Sequence, residues 1–289
     1  MGNVAVVADT TGYLPPALTD ELGISLISLY VNFGPERTQK ESDITDYNAF
    51  FEELRTTERL PTTSQPSVGD FIEVYEPLLA AGKDIVSIHL SGGISGTCEA
   101  ARQAAEALER DGKGGERVHV FDSTTAAGGQ GMITLVAAHA ALAGDDAETV
   151  VAKTQAARDD VKIWFAIDTL EFFKLGGRIG AAGAWIGSTL KVKPILTLEH
   201  EITPVERVRT SKRAFERLVH YAEQRHEDGC DAWVVQHIHA PADAERLVER
   251  GVDIFGTEPT YVSELGAVLG THTGPGMLGI GALPTKHFS

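Results

Sequence analysis

Short apolar runs rich in valine and isoleucine alternate with longer stretches of helical periodicity in the first half of the chain. Such runs predict buried strands, and the longer stretches predict helices. The predicted strands span residues 4–8, 24–33, 85–90 and 118–121, and the predicted helices span residues 47–56, 68–80, 96–109, 129–143 and 147–158. This alternation predicts a mostly parallel sheet that is covered by helices on both faces.

The second half continues the alternation beyond Asp159 and Asp160, which mark a candidate domain boundary. Predicted strands span residues 162–167, 232–238 and 260–262, predicted helices span residues 169–175, 181–190, 212–226 and 242–250, and residues 194–198 and 201–208 form a predicted hairpin. A glycine-rich tail follows. We therefore expect an α/β protein of two domains: a mostly parallel N-terminal domain at residues 1–160 with a polar rim at its strand ends, and a second α/β domain at residues 161–289.

The charge of the chain argues against nucleic acid as a partner. The 289 residues carry a formal net charge of −16, whereas contacts to phosphate backbones need a basic surface. Residues 1–160 hold 11 basic and 25 acidic side chains, while residues 161–289 hold 14 and 16. Within the second half, residues 171–217 hold nine lysines and arginines against five acids. This basic segment either steers an acidic or phosphate-bearing partner or is an ordinary solvated face.

Cysteine content and apolar run lengths predict the compartment. Cys98 and Cys230 are too few and too far apart for a disulfide framework or a zinc site. The chain starts with a predicted strand rather than with a signal-peptide pattern, and its apolar runs are shorter than the roughly 18 residues of a membrane span. We therefore expect a cytoplasmic protein that has no metal or cofactor and touches membranes only transiently.

Hydroxyl and carboxylate side chains follow the predicted strands of the first half. They are Asp9-Thr10-Thr11, Ser91 with Ser95, and Asp122-Ser123-Thr124. Ligands of open parallel sheets bind beyond the carboxyl ends of the strands, so these groups predict a hydrogen-bonding wall. Each of them is equally suited to capping the helix that follows it.

Four separate segments combine hydrogen-bond donors with glycines in a way that suits a small anion. They are TTSQPS at residues 62–67, HLSGGISGT at residues 89–97, LGGRIG at residues 175–180 and GTHTGPG at residues 270–276. Glycines let a backbone approach closely, and the free amides at a helix start favour negative charge. The candidate ligand-binding residues are Thr63, Ser64, Ser95, Gly96 and His272, with Arg178 as a guanidinium clamp.

Several enzyme motifs are incomplete. A G-x-G-x-x-G match at residues 274–279 has no following strand or ribose-binding acid. The G-x-S-x-G elbow fails because Thr97 occupies its last position. A hydrolase with Ser95 as nucleophile and His272 as base stays as an alternative, which needs Asp9 or Asp122 to orient the histidine.

Large apolar side chains and small ones adjoin the LGGRIG segment. The candidate pocket residues for an apolar ligand are Phe165, Ile167, Phe172, Ile179, Gly183, Ile186 and Leu190. Small residues on an apolar helix either leave room for a hydrocarbon tail or let two helices pack closely.

Taken in order over nearly the whole chain, these segments resemble those of the DegV family, which includes the FakB fatty-acid-binding subunits of bacterial fatty acid kinase. The matching segments are VADTTGYLP, PTTSQPS, HLSGGISGT, VFDS, LEFFKLGGRIG, LKVKPIL, VRT and AVLGTHTGPGMLGIG. The resemblance implies two α/β domains, a buried acyl chain and a carboxylate near the cleft between them. By motif it places carboxylate contacts on Thr63, Ser95 and His272, and it associates Arg178 and Arg209 with the kinase partner or with phosphate.

One position departs from the family pattern, because Gly92 stands where many members have a second serine. The expected function is that of a non-catalytic carrier. It would bury a long-chain fatty acid, with the second domain enclosing the acyl chain, and present the carboxylate to a separate ATP-dependent kinase subunit. The alternatives are the Ser95/His272 ester or thioester hydrolase and a lipid-sensing regulatory protein that needs no kinase.

Overall fold

The computed structural model describes residues 3–57, 59–185 and 192–289. Its strands are β1 (Val4–Asp9), β2 (Ser25–Ile27), β3 (Tyr30–Asn32), β4 (Thr38–Lys40), β5 (Thr62–Ser64), β6 (Asp84–His89), β7 (Val118–Asp122), β8 (Lys162–Ala166), β9 (Lys193–Glu199), β10 (Glu201–Val208), β11 (Ala232–Ile238), β12 (Tyr261–Glu264) and β13 (Met277–Leu283). Its α-helices are α1 (Pro16–Leu22), α2 (Tyr47–Thr56), α3 (Val68–Ala80), α4 (Thr97–Arg110), α5 (Ala127–Ala143), α6 (Ala147–Asp160), α7 (Glu171–Leu175), α8 (Ser211–Glu227), α9 (Pro241–Phe255) and α10 (Ala267–Thr273).

The N-terminal parallel sheet has the order β2-β1-β6-β7, and all of its pairings are parallel, as the sequence predicts. Its strands are largely apolar because both faces are covered. Val7 and Ile85 belong to the core shared with α3 and α4, whereas Val6 and Val86 belong to the core shared with α5 and α6. This alternation follows from the two-residue period of a strand.

A small antiparallel sheet has the order β4-β3-β5. The apolar run at residues 24–33 therefore does not form the single strand predicted from the sequence. Its first part pairs with β1 and its second part pairs with β4 and β5, so the backbone changes sheets near Leu29. This small sheet carries Thr63 on β5.

The C-terminal mixed sheet has the order β10-β9-β8-β13-β11-β12, with β11 and β12 as its parallel pair. The predicted hairpin is confirmed as β9 and β10. The expectation of a glycine-rich tail is wrong, because β13 pairs with β8 on one side and with β11 on the other. Pairing on both sides satisfies its backbone, so the glycines weaken the strand without preventing it.

Helix α5 joins the two large sheets. Its residues from Ala127 to Ala138 are buried, because it contacts β1 on one side and β8, β11 and β13 on the other. Helices α8 and α9 cover the opposite face of the mixed sheet. The chain passes into the mixed sheet between α6 and β8. The domain boundary between residues 160 and 161 stays a prediction.

Two local predictions change. Residues 270–273, expected in a loop, form the end of α10 and place His272 in its last turn. Residues 180–185 form a 3-10 helix, and the remainder of the predicted helix at 181–190 lies outside the described residues.

Candidate functional site

An internal cavity lies between one face of the mixed sheet and the start of α5. Its volume is about 90 Å³, measured as the space that the centre of a water molecule can reach. Apolar side chains from both halves of the chain line it, among them Leu29, Leu90, Ala126, Ala127, Ile163, Phe165, Phe173, Leu198, Ile202, Val234, Val268 and Met277. The second domain therefore does not enclose the cavity alone, contrary to the expectation from the sequence.

The sheet wall of the cavity comes from residues two apart on adjacent strands. Ile163 and Phe165 lie on β8, Val234 lies on β11, and Gly279 and Gly281 lie on β13 between them. Residues two apart share one face of a sheet. The two glycines line the cavity without side chains of their own, and Ile163 packs over Gly281, where a Cβ would lie 2.6 Å from Ile163 Cγ2.

The opposite wall begins where α5 meets the sheet. A Cβ at Gly128 would lie 2.7 Å from Val234 Cγ2 and 2.9 Å from Gln236 Oε1. Only a glycine permits this approach, so the helix start closes one side of the cavity. Gln236 is a buried polar residue of the sheet wall, and its Nε2 donates to Ser263 Oγ at 2.8 Å.

Thr63 and His272 meet at the polar end of the cavity. Thr63 Oγ1 lies 2.7 Å from His272 Nε2, although 209 residues separate them in sequence. Thr63 comes from the small antiparallel sheet and His272 from α10. Both line the cavity, so the structure brings together the two residues that the sequence analysis linked.

His272 is almost fully buried, with 8% of its surface exposed. Burial, together with the positive charge of Arg178, lowers its pKa from the usual 6.5 to about 4, so the ring is neutral near pH 7. A Cβ at Gly176 would collide with His272 Nδ1, and that nitrogen has no hydrogen-bond partner among the described residues. Nε2 is therefore the ring nitrogen that forms a hydrogen bond, with Thr63 Oγ1.

Ser64 and Ser95 also line the cavity. Ser95 Oγ lies 2.8 Å from Thr97 Oγ1 and accepts a hydrogen bond from the Thr97 amide. Gly96 precedes α4, where a Cβ would lie 2.7 Å from Gln65 Nε2. Its backbone thus packs directly on Gln65, which lines the cavity.

The two predicted arginines lie in different surroundings. Arg178 lines the cavity, and its guanidinium donates to the carbonyls of Gly176 (2.7 Å) and Ile94 (3.4 Å). Arg209 is exposed between β10 and α8 and is not part of the cavity wall.

The predicted acyl pocket needs correction. Phe165 lines the cavity, but Ile167, Phe172, Ile179 and Gly183 do not. Ile167 lies beyond the end of β8, so the alternation that exposes Phe165 to the cavity stops before it. Ile186 and Leu190 lie outside the described residues.

The other misplaced pocket residues follow from helix geometry. Phe172 packs against Gly274, and its neighbour Phe173 faces the cavity because adjacent helical residues point in different directions. Ile179 packs against the core around the cavity. Gly183 lies in a 3-10 helix, whose three residues per turn do not produce the predicted α-helical face.

A match to the DegV family model extends over residues 3–285. The chain belongs to the DegV family.

Curated relatives match along nearly their whole length. Protein DegV of Bacillus subtilis is 35% identical over 281 residues, which cover 96% of this chain and 98% of the relative. A DegV domain-containing protein of Streptomyces coelicolor is 37% identical over 281 residues, with coverage of 96% and 97%.

Two solved structures share both the fold and the sequence pattern. A fatty-acid-binding DegV family protein from Thermus thermophilus has a TM-score of 0.86 at 33% identity, covering 97% of this chain and 99% of the other. DegV from Bacillus subtilis, described as a fatty acid binding protein, has a TM-score of 0.85 at 34% identity, with coverage of 98% and 100%. These neighbours confirm the α/β fold with a parallel sheet and a second α/β domain.

The DegV-family chain tolerates Gly92 for a local reason. The Gly92 amide lies 3.2 Å from both carboxylate oxygens of Asp122, and a Cβ at this position would lie 2.7 Å from Asp122 Oδ2. A serine here would therefore crowd Asp122. Ser91, the hydroxyl that remains, donates to the His200 carbonyl at 2.6 Å.

A serine, a histidine and an aspartate do align in this DegV-family chain, but they lie inside the core. Ser87 Oγ is 2.7 Å from His89 Nε2, and His89 Nδ1 is 3.1 Å from Asp9 Oδ2. All three side chains are fully buried, and Tyr75 donates to Ser87 at 2.6 Å. Burial works to raise the pKa of Asp9, but the His89 hydrogen bond and charge and the Thr11 and Gln130 side chains hold it below its usual value.

Asp9 is thus committed to the core rather than to the rim on which the sequence analysis placed it. Sequence reasoning missed most of the cavity-lining residues, including those on β11, β13 and α5. The alternating glycines of β13 were a signal for them, since a buried strand with every second side chain missing leaves space on one face.

No helix among the described residues has both the length and the apolar character required to cross a bilayer.

Proposed function

We propose that this protein binds a long-chain fatty acid, with the hydrocarbon tail in the internal cavity and the carboxylate at Thr63, Ser95 and His272. The observation that carries the proposal is the hydroxyl–imidazole pair of Thr63 and His272 at one end of a cavity whose walls are otherwise largely apolar. Two DegV-family neighbours at 33% and 34% identity that are described as fatty-acid-binding proteins support it.

The cavity walls match the chemistry of a tail. Transfer of one methylene group from water to an apolar site is worth about 0.8 kcal/mol. The cavity-lining residues of β13 run from Met277 to Gly281, a rise of roughly 13 Å at the usual spacing of a strand. Burial of methylenes along this length supplies most of the affinity, and the polar end selects the head group.

The polar end matches a carboxylate. When the proton of the neutral His272 ring is on Nε2, the imidazole donates to Thr63 Oγ1. The Thr63 hydroxyl hydrogen is then free to donate to a ligand oxygen, and a hydroxyl that already accepts a hydrogen bond is a better donor. Ser95 offers a second hydroxyl, and Arg178 supplies a nearby positive charge.

The same contacts favour a carrier over the hydrolase alternative. A serine nucleophile needs a histidine base that a carboxylate orients. Here His272 Nε2 faces Thr63, and Ser95 Oγ faces Thr97. Asp9 faces His89, and Asp122 accepts from the amides of Gly92 and Thr124.

The finer part of the proposal is that the carrier presents the carboxylate to an ATP-dependent kinase subunit in the cytoplasm, which forms an acyl phosphate. Arg178 lies at the cavity and Arg209 is exposed on the basic segment at residues 171–217, so both are suited to an acidic or phosphate-bearing partner. Buried, free Cys98 and Cys230 agree with a reducing compartment.

Mass spectrometry of the denatured protein tests the binding proposal. Protein purified from a bacterial host should release a fatty acid in near-stoichiometric amount, and the stripped protein should rebind palmitate in calorimetry. Release of only polar metabolites, together with no uptake of palmitate, would overturn the proposal.

Reconstitution tests the kinase proposal separately. Palmitate-loaded protein with ATP and a bacterial extract fraction should yield acyl phosphate, whereas the protein with ATP alone should not. Arg209→Ala should slow this reaction without changing palmitate affinity, while Arg102→Ala, an exposed change on α4, should leave both unchanged. Equal rates for both variants would remove Arg209 from the partner surface.

A further inference from the structure

Glu41 is a buried carboxylate that the binding proposal does not use. Only 3% of its surface is exposed, and it follows β4 of the small antiparallel sheet directly. Isolated carboxylates are rarely buried, because the loss of hydration is costly unless hydrogen bonds replace it. Its hydrogen-bond partners therefore indicate why the chain retains it.

The carboxylate of Glu41 accepts hydrogen bonds from three groups, two in the turn after β1 and one in α10. Thr10 Oγ1 donates to Oε2 at 2.6 Å, and the Tyr13 hydroxyl donates to Oε1 at 2.5 Å. The Val268 amide, in the first turn of α10, also donates to Oε1 at 2.8 Å. Burial raises the pKa of Glu41, and the hydrogen bonds from Thr10, Tyr13 and Val268 counter that rise.

Helix α10 lacks a cap of its own. Gly266 occupies the cap position, where it offers no side chain. The first free amides of a helix need acceptors. In α10, residues from elsewhere in the chain supply these acceptors. Glu41 accepts from Val268, and the Tyr13 hydroxyl accepts from the Leu269 amide at 3.3 Å.

Through this cap, Glu41 is connected to both residues of the proposed head-group site, Thr63 and His272. His272 lies four residues after Val268, one turn or about 6 Å further along the helix. On the other side, Glu41 continues β4, which pairs with β3, and Val31 of β3 pairs with Thr63. The same segment thus fixes both partners of the Thr63–His272 contact.

We propose that Glu41 is the positioning residue of the head-group site: its carboxylate anchors the first turn of α10 to the small antiparallel sheet and so sets His272 against Thr63. Glu41 does not touch the ligand in this role. The inference rests on the proposed function for its effect on affinity, but the geometry of His272 is measurable without ligand.

Glu41→Gln is the direct test, because it keeps the size of the side chain and removes the charge and one acceptor. In the stripped protein, the imidazole nitrogen resonances of His272 should shift as its contact with Thr63 loosens. The Kd for palmitate should rise roughly fivefold to tenfold, as for the loss of a helix cap of ordinary strength.

Tyr75→Phe is the matched control, because it also removes a buried hydroxyl contact in the N-terminal half, to Ser87, without touching α10. It should leave both the His272 resonances and the palmitate Kd unchanged. If Tyr75→Phe changes them as much as Glu41→Gln does, general destabilisation explains the effect and the proposal is overturned.

Tyr13→Phe carries the test if Glu41→Gln does not fold. It removes the acceptor of the Leu269 amide and one donor to Glu41, so it should shift the His272 resonances in the same direction by a smaller amount. Unchanged resonances and affinity in whichever variant folds would overturn the proposal. A wild-type protein that takes up no palmitate would instead refute the proposed function, and the His272 resonances would still decide the role of Glu41.

Discussion

Thr63 Oγ1 and His272 Nε2 lie 2.7 Å apart and join the small antiparallel sheet to α10 at the polar end of the cavity. Each residue also has a local support. Thr63 is held by the pairing of β5 with β3, and His272 is held by α10 and by the close approach of Gly176 to its ring. If this contact forms the proposed head-group site, the site is pre-organised, since little order is lost when a ligand arrives.

Thr63→Val should weaken palmitate binding about tenfold. Valine keeps the shape of threonine, but it removes the hydroxyl that contacts His272 and donates to the ligand carboxylate in the proposed site. A hydrogen bond to a charged group such as this carboxylate is worth about 1.5 kcal/mol or more. Calorimetry on the stripped protein measures the change. Thr62→Val is the control, because Thr62 is exposed and does not line the cavity. Equal affinity of the two variants would contradict a role for Thr63.

Titration of His272 should make the stability of the protein depend on pH. The pKa of His272 is lowered to about 4 in the folded protein by burial and by Arg178, against about 6.5 in an unfolded chain. The unfolded state therefore takes up the proton first as the pH falls. The resulting stability is complete above about pH 6.5 and is lost progressively down to about pH 4, by at most about 3 kcal/mol.

Comparison of the wild type with His272→Gln isolates this contribution, because the other titrating groups are common to both proteins. Denaturant unfolding at a series of pH values gives both free energies of unfolding. Their difference should shrink as the pH falls from 7 to 4. A difference that stays constant over this range would show that the ring does not remain neutral in the folded protein.

Val234→Leu should reduce affinity for octadecanoate more than for dodecanoate. The added methylene occupies space in the cavity wall, and displacement of one methylene of the tail costs about 0.8 kcal/mol, or about fourfold in Kd. Val235→Leu is the control, since its side chain belongs to the core on the opposite face of the sheet. The same shift in chain-length preference for both variants would place the tail elsewhere.

Gly251→Ala should destabilise the protein by about 1–3 kcal/mol, because overpacking forces neighbours to move. A Cβ at this position of α9 would collide with the Trp233 ring, and the gain in helix propensity of about 1 kcal/mol does not offset that. Gly69→Ala on α3 is the control. A Cβ at Gly69 would have Ser67 Oγ as its nearest neighbour, at 3.6 Å, which is ordinary contact, so we expect this substitution to stabilise the helix. Urea unfolding of both variants distinguishes the two effects.

The sequence by itself determined the parallel sheet, most helices and the candidate residues of the proposed head-group site. Buried strands such as β1 show in the sequence because their apolar runs depend on local composition, and the segments around Thr63, Ser95, Arg178 and His272 depend on local glycine and hydroxyl patterns. These signals are short in range, so no tertiary information is needed to detect them.

Only the tertiary structure decided which side chains enclose the cavity. Phe173 faces it while Phe172 does not, and Gly279 and Gly281 shape it from a strand that the sequence analysis read as a tail. The role of Glu41 was equally hidden, because its carboxylate meets the Val268 amide across 227 residues. Side-chain direction and long-range pairing depend on how separate elements pack, and no local pattern encodes that packing.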